Sequence, residues 1–236
     1  MNNNPITFIT GTSRGIGRKL AEHYINKNHT VIGCSRNNTD FQHENYTHFQ
    51  ADLRNEKEIL TIFKHIKKTY GRLDNLINNA GVGVSSPAVL TSTSVFEDVM
   101  AINTTGTFIC VREAAKIMMK HNYGRIVNFT SGGVIFNLDG ALPYTVSKAA
   151  IEMLTKSFAS ELAPYKITVN AVAPGVTATE MLSTYMSNEK YDELMSRNYM
   201  IKEESTADDL ANAIDFFLQE TSNRVTAQIL YLCGPK

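Results

Sequence analysis

The most reactive pairing in the chain is Tyr144 with Lys148, in the run Tyr144-Thr145-Val146-Ser147-Lys148. Four positions apart on a helix, a phenol and an ammonium share one face and come within mutual reach. The ammonium favours the phenolate and draws the tyrosine pKa down from ~10 toward the working range, at about 1.4 kcal/mol per unit. Tyr144 is thereby a usable general acid or base. Earlier in the chain, Asn128-Phe129-Thr130-Ser131-Gly132-Gly133 carries the Ser131 hydroxyl at the C-terminal edge of a β-type run, where open α/β sheets bind ligands. Ser131 either holds a carbonyl oxygen or is a turn serine satisfying its own backbone. Asn103, in Ala101-Ile102-Asn103, lies inside an apolar helical stretch. An amide is disfavoured there unless it has partners, so it is either functional or a satisfied core amide.

A second group of residues could hold a dinucleotide. Thr10-Gly11-Thr12-Ser13-Arg14-Gly15-Ile16-Gly17 follows a β-type run and opens a helix, whose exposed N–H groups and positive dipole end suit a pyrophosphate. Glycines at 11, 15 and 17 permit a tight turn, close backbone approach to phosphate and close packing of helix on strand. The bland alternative is a glycine-rich linker. At the end of the next run, Gly33-Cys34-Ser35-Arg36, no acid stands where a carboxylate would bind the ribose 2′-hydroxyl of NAD. Arg36 is there instead, and with Arg14 it reads as a clamp for a 2′-phosphate, unless both are ordinary solvated arginines. NADP(H) is therefore expected over NAD(H). Asp52, in Ala51-Asp52-Leu53, is an acceptor for the adenine amino group or a helix N-terminal cap.

The elements that must position these groups alternate. β-type runs at 6–10, 30–34, 47–50, 75–78, 125–129, 168–172 and 228–232 are separated by amphipathic stretches at 16–26, 56–70, 94–121, 144–163 and 207–219. That order reads as repeated strand-helix-strand units and a parallel sheet. In 144–163, Val146, Ala149, Ala150, Met153, Leu154 and Phe158 recur at helical spacing, and Pro164 falls at the end. With 236 residues, 43% of them hydrophobic, one globular domain over 1–236 is expected. The segment 176–206 fits neither period; it is polar but holds Met181, Met186, Met195 and Met200, and reads as a substrate lid.

Composition excludes several classes. Lys plus Arg number 23 against 23 for Asp plus Glu, which argues against nucleic acid or an anionic membrane surface as partner. Cys34, Cys110 and Cys233 lack Cys-x-x-Cys spacing, give no zinc or disulfide framework and fit a reducing compartment as buried small hydrophobes. The six histidines end at His121 without a close ligand pair, so no metal is expected. A serine-hydrolase reading is weak too, because Ser131 would lack a histidine downstream. No run approaches the ~18 apolar residues of a membrane span and the first residues do not read as a leader, so a cytoplasmic location is expected.

Together these residues resemble the short-chain dehydrogenase/reductase family over nearly the whole chain. Its glycine turn matches Gly11, Gly15 and Gly17, its Asn-Asn-Ala-Gly matches Asn78-Asn79-Ala80-Gly81, and its Pro-Gly segment matches Pro174-Gly175. The resemblance implies a single-domain, Rossmann-like doubly wound sheet of seven parallel strands, order 3-2-1-4-5-6-7. It implies that Ser131 orients a carbonyl, Tyr144 protonates it, Lys148 holds the nicotinamide ribose and Asn103 anchors a water. Ser13, Ile16 and Leu53 would join the cofactor site, Asn79 to Gly81 would line the adenosine side, and Thr177 and Thr179 would meet the carboxamide. Val82, Val134, Phe136 and Met181 would line the substrate side.

Within the family the chain is most similar to the 3-oxoacyl-[acyl-carrier-protein] reductases, through Gly124-Arg125-Ile126-Val127-Asn128 and Thr168-Val169-Asn170-Ala171-Val172-Ala173-Pro174-Gly175. That likeness implies NADPH-dependent reduction of a 3-oxoacyl thioester, with sugars, polyols or other secondary alcohols as the alternative. It also implies a homotetramer joined through 94–121 and 144–163, and an acyl carrier protein as a partner. The chain departs from the pattern at Asn122 and Tyr165, where a basic docking residue would stand beside Lys120 and Lys166. It departs again at Thr226-Ala227-Gln228 for Thr-Gly-Gln and Cys233-Gly234-Pro235 for Asp-Gly-Gly. A non-catalytic nucleotide-sensing protein on the same fold is the competing reading, and the intact catalytic quartet argues against it.

Overall fold

The structure is a computed structural model that describes residues 4–177 and 188–236. Its strands are β1 (Ile6–Thr10), β2 (Thr30–Ser35), β3 (Tyr46–Gln50), β4 (Asn75–Asn78), β5 (Gly124–Phe129), β6 (Ile167–Ala173) and β7 (Ile229–Tyr231). All pair in parallel, in the order β3-β2-β1-β4-β5-β6-β7, as expected. Successive residues of the central strands point to opposite faces, so apolar pairs serve two cores at once. Phe8, Leu76 and Ile126 enter one core, while Ile9, Ile77 and Val127 enter the other. Among the described residues, no helix is long and apolar enough to cross a membrane.

Helices α1 (Gly15–Asn26), α2 (Glu56–Thr69), α3 (Thr93–Met100), α4 (Gly106–Met118), α5 (Gly133–Phe136), α6 (Leu142–Leu162), α7 (Asn188–Asn198) and α8 (Ala207–Leu218) surround this sheet. From α2, Ile59, Ile62 and Ile66 pack with Ala114 and Met118 of α4 on the first face. Leu20 and Tyr24 of α1 meet Leu210, Ile214 and Phe217 of α8 on the second. Strand order reverses between β1 and β4, and the crevice beyond their C-terminal ends is where open sheets of this kind bind ligands.

Two expectations change. The stretch 94–121 is not one helix: a π-turn, Ala101–Thr105, separates α3 from α4, and a 3-10 turn, Met119–His121, closes it. Single π-turns appear where side chains need to be re-aimed, and this one carries Asn103. The second change concerns α6. Its buried side chains include Ser147, Ile151, Thr155, Ala159 and Leu162. Part of the apolar stripe read from the sequence faces outward instead, with Val146 41% and Met153 63% exposed. Buried hydroxyls are tolerable here because both are bonded: Ser147 Oγ donates to Tyr144 O at 2.7 Å, and Thr155 Oγ1 donates to Ile151 O at 2.8 Å.

Of the segment 176–206, Met195 is buried beside Val176 and Leu194, while Met200 is exposed; Met181 and Met186 lie outside the described residues. Cys34 and Cys110 are buried and Cys233 half-buried. Ala227 and Cys233, in the two C-terminal departures, both adopt left-handed backbone, φ 61° in each case. A side chain there costs about 1 kcal/mol relative to glycine.

Candidate active site

The glycine turn hooks onto β2, where Gly11 N–H and Thr12 N–H donate to Cys34 O at 2.7 and 3.2 Å. Gly11 has φ +81°, and a Cβ on Gly17 would lie 2.1 Å from Gly11 O and 2.5 Å from Asn79 Nδ2. Glycine at 17 is therefore a packing requirement that lets α1 start against the turn. Asn79 Nδ2 donates to Thr10 O at 2.9 Å, and Ala80 N–H donates to Thr10 Oγ1 at 3.0 Å, which locks the end of β4 to the end of β1. Among the described residues, no side-chain cap bond closes the N-terminus of α1, and its first turn holds no acid, so its amide groups and dipole suit an anion.

Above these ends lies a cleft of about 540 Å³. Gly11, Ser13, Arg14, Gly15, Ile16 and Gly17 line it at one end with Arg36, Asp52 and Leu53. Asn79, Ala80 and Gly81 line its middle, and Ser131, Tyr144, Lys148, Pro174, Gly175 and Thr177 line the other end. Thr179 lies outside the described residues. A dinucleotide suits this donor set: an uncapped helix start for phosphate, two guanidinium groups at the far end, and glycine surfaces a Cβ would obstruct. At Gly81 such a Cβ would stand 3.3 Å from Lys148 Nζ.

Asp52 does not cap α2. Asn55 does, accepting from Lys57 N–H at 3.2 Å, while the Asp52 carboxylate takes Arg54 NH2 at 2.7 Å. Arg54 chiefly, with a contribution from Arg36, holds the Asp52 pKa below the usual carboxylate range.

At the end that holds Ser131, Tyr144 and Lys148, α6 starts at Leu142 with Pro143 in its first turn, a pre-formed helical φ that sets Tyr144 at the mouth. Lys148, 5% exposed, donates from Nζ to Phe129 O at 2.8 Å, and its ammonium lies 5.8 Å from the Tyr144 ring centroid. Burial pushes the Lys148 pKa down to about 8. Burial also raises Tyr144, against the opposing pull of its hydrogen bond with the Ser131 hydroxyl. The expected lowering of Tyr144 by Lys148 is thus corrected: dehydration of the phenol dominates, and the ammonium is turned to a backbone carbonyl. Ser131 Oγ in turn accepts from Gly133 N–H at 3.1 Å.

Asn103 is 1% exposed and its amide is fully used. Oδ1 accepts from Val82 N–H at 2.8 Å, while Nδ2 donates to Val82 O and Ser147 Oγ, each at 2.9 Å. The side chain staples the loop after β4 to α6, and the main-chain carbonyl accepts from Thr107 Oγ1 at 2.7 Å.

Three groups had escaped the sequence reading. His48 Nε2 sits 3.1 Å from Ser35 Oγ and 3.2 Å from Asn37 O, and Tyr46 OH donates to Thr12 Oγ1 at 2.8 Å, 2.9 Å from His48 Nδ1. These β3 side chains buttress both the glycine turn and the Arg36 loop. Glu152 Oε1 accepts from Thr130 Oγ1 at 3.0 Å and Tyr231 OH at 2.6 Å, tying β7 to the Ser131 turn. Tyr199 also lines the cleft. Of the substrate-side residues named from sequence, Val82 and Phe136 line it, Val134 is not among its lining residues and Met181 lies outside the described residues.

The short chain dehydrogenase family model matches residues 5–190, and the chain belongs to that family of oxidoreductases. Among its relatives, a 3-oxoacyl-[acyl-carrier-protein] reductase of Rickettsia bellii is 34% identical, covering 96% of this chain and 94% of that one. A 3alpha-hydroxysteroid dehydrogenase of Mediterraneibacter gnavus is 29% identical, covering 98% and 96%. Among solved structures, ElxO with NADP bound is 31% identical with a TM-score of 0.88 and 97% coverage of both chains. A short chain dehydrogenase from Leptospira borgpetersenii with bound NAD+ is 28% identical, TM-score 0.88, covering 98% and 92%.

Proposed function

We propose that this oxidoreductase is an NADP(H)-dependent carbonyl reductase acting on 3-oxoacyl thioesters. The observation that carries the reading is the joint placement of Ser131, Tyr144 and Lys148 on one cleft whose far end holds Arg14 and Arg36. Lys148 would hold the nicotinamide ribose, Arg14 and Arg36 the 2′-phosphate, the start of α1 the pyrophosphate, and Asn79 to Gly81 the adenosine side. Bound NADPH supplies the hydride.

The chain's own residues do the rest. Ser131 donates to the substrate carbonyl oxygen and fixes its direction, and Tyr144 delivers the proton to that same oxygen. A raised phenol pKa keeps Tyr144 protonated and ready as an acid, and the Lys148 ammonium stabilises the phenolate left behind. Water anchored at Asn103 would feed the relay that returns the proton. Apolar lining from Val82, Val84, Phe136, Leu138 and Leu194 suits an acyl chain better than a polyol.

The same reading makes the chain a homotetramer that covers the exposed apolar residues of α4 and α6, with the thioester presented free or on an acyl carrier protein. NADPH oxidation measured with acetoacetyl thioesters, keto sugars and hydroxysteroid-derived ketones tests the substrate class. A clear preference for the thioester is expected, and a preference for sugar or steroid ketones would replace it.

A further inference from the structure

We propose that Tyr199 positions the substrate by donating a hydrogen bond to its second oxygen, the thioester carbonyl one methylene away from the reacting ketone. It would thereby select 3-oxoacyl compounds over plain ketones. The inference rests on the reductase reading above and names a residue that reading does not use.

Tyr199 follows α7 and is 3% exposed, yet it lines the cleft. Its ring meets Phe136 edge-on, centroids 5.4 Å apart and planes at 77°. The phenol oxygen lies over Gly132, where a Cβ would come within 2.6 Å of it. Gly132 is the residue next to Ser131, so a carbonyl held by Ser131 brings its neighbouring atoms toward this phenol. Burial, with Tyr144 adding to it, pushes the Tyr199 pKa well above the usual range, and the group stays a neutral donor.

Its hydroxyl makes no hydrogen bond with another described residue and is not one of the fully enclosed polar atoms that lack a partner, so it opens on the cleft and is available to a ligand. The surrounding wall is mostly apolar, formed by Val176, Leu194, Met195, Phe136 and Leu138, with Tyr191 and Cys233 packed against it. One oriented donor on an apolar wall is how a pocket reads a single polar atom of a greasy ligand. The residue is also held firmly. Met200 N–H donates to Cys233 O at 3.2 Å and Gly234 O at 3.0 Å, and an isolated bridge pairs Tyr199 with Pro235. A donor anchored this way discriminates, because a substrate lacking the acceptor leaves the phenol unpaired.

The test compares ethyl acetoacetate, methyl propyl ketone and hydroxyacetone with wild type and Tyr199→Phe, together with NADPH affinity by fluorescence. Phenylalanine keeps the packing on Phe136 and Gly132 and removes the donor alone. The expected result is a loss in kcat/KM of about 10- to 100-fold for ethyl acetoacetate, with NADPH affinity and the plain ketone changed less than about 2-fold. Equal losses on all three, no loss on ethyl acetoacetate, or weakened NADPH binding would overturn the proposal. A loss greatest on hydroxyacetone would overturn it too, by assigning the donor to a hydroxyl substrate. Wild-type turnover of plain ketones separates these failures from that of the reductase reading, since a wild type that oxidises NADPH with no carbonyl compound at all sinks both.

Discussion

Replacing Arg36 by aspartate should move cofactor preference away from NADPH. Arg36 is an exposed side chain at the end of β2, and its charge already acts on Asp52 across the adenosine end of the cleft. Because it is exposed, its charge-assisted hydrogen bond to a 2′-phosphate belongs at the low end of the range, about 1.5 kcal/mol. A carboxylate about 4 Å from that phosphate adds repulsion of about 1 kcal/mol per charge in water. The sum of about 2.5 kcal/mol lowers the NADPH-to-NADH ratio of kcat/KM by roughly 10- to 100-fold, since 1.4 kcal/mol is one decade. The aspartate also offers NADH a ribose acceptor, so part of the change should appear as a gain on NADH. Steady-state kinetics with both cofactors reads the ratio directly, and raising salt should shrink the wild-type preference because the clamp is open to screening. A wild type that prefers NADH, or a variant whose ratio does not move, would show that Arg36 and Arg14 take no part in cofactor choice.

Two other perturbations follow from the same geometry. Lys148 titrates near 8 when folded and near 10.5 when unfolded. The unfolded chain therefore binds more protons between those values, so this group's contribution to stability rises with pH across that window and vanishes in a Lys148→Met variant compared by denaturant melts. If the Lys148 ammonium holds the nicotinamide ribose as proposed, NADPH binding should weaken as pH climbs through about 8 by up to about tenfold per unit, and Lys148→Met should bind weakly at all pH values; a wild-type Kd flat to pH 9 would count against the ribose role. For assembly, Phe108, Val146 and Met153 are exposed apolar side chains on α4 and α6. Light scattering should find a tetramer that Met153→Arg reduces to smaller species, and a monomeric wild type would refute it.

The parts legible in the sequence were those written in local spacing. The glycine turn stands directly after β1, Tyr144 and Lys148 share a helical face, and the strands are marked by β-branched runs, so the fold and the meeting of Ser131, Tyr144 and Lys148 on one cleft follow, with strand ends accurate to a residue or two. What escaped depends on partners far away in the chain. Asn103 looked ambiguous inside an apolar stretch because its three partners come from Val82 and Ser147. The break at Ala101–Thr105 has no proline or glycine inside it to betray it. The stripe of α6 has the right period but faces the core only in part: Leu154 and Phe158 pack on it while Val146 and Met153 turn outward, because Ser147 and Thr155 can be buried once their hydroxyls are bonded. Tyr46, His48 and Tyr199 belong to no motif, and only the folded chain sets the first two behind the glycine turn and the third on the cleft.

The central claim is that Tyr144 protonates a carbonyl oxygen on a site otherwise built for NADPH. The most direct test is the turnover of Tyr144→Phe with NADPH and an acetoacetyl thioester, measured beside its NADPH affinity. The account predicts unchanged affinity and turnover reduced by at least ~10²-fold, the scale of a lost general acid. Turnover near the wild-type rate would contradict it.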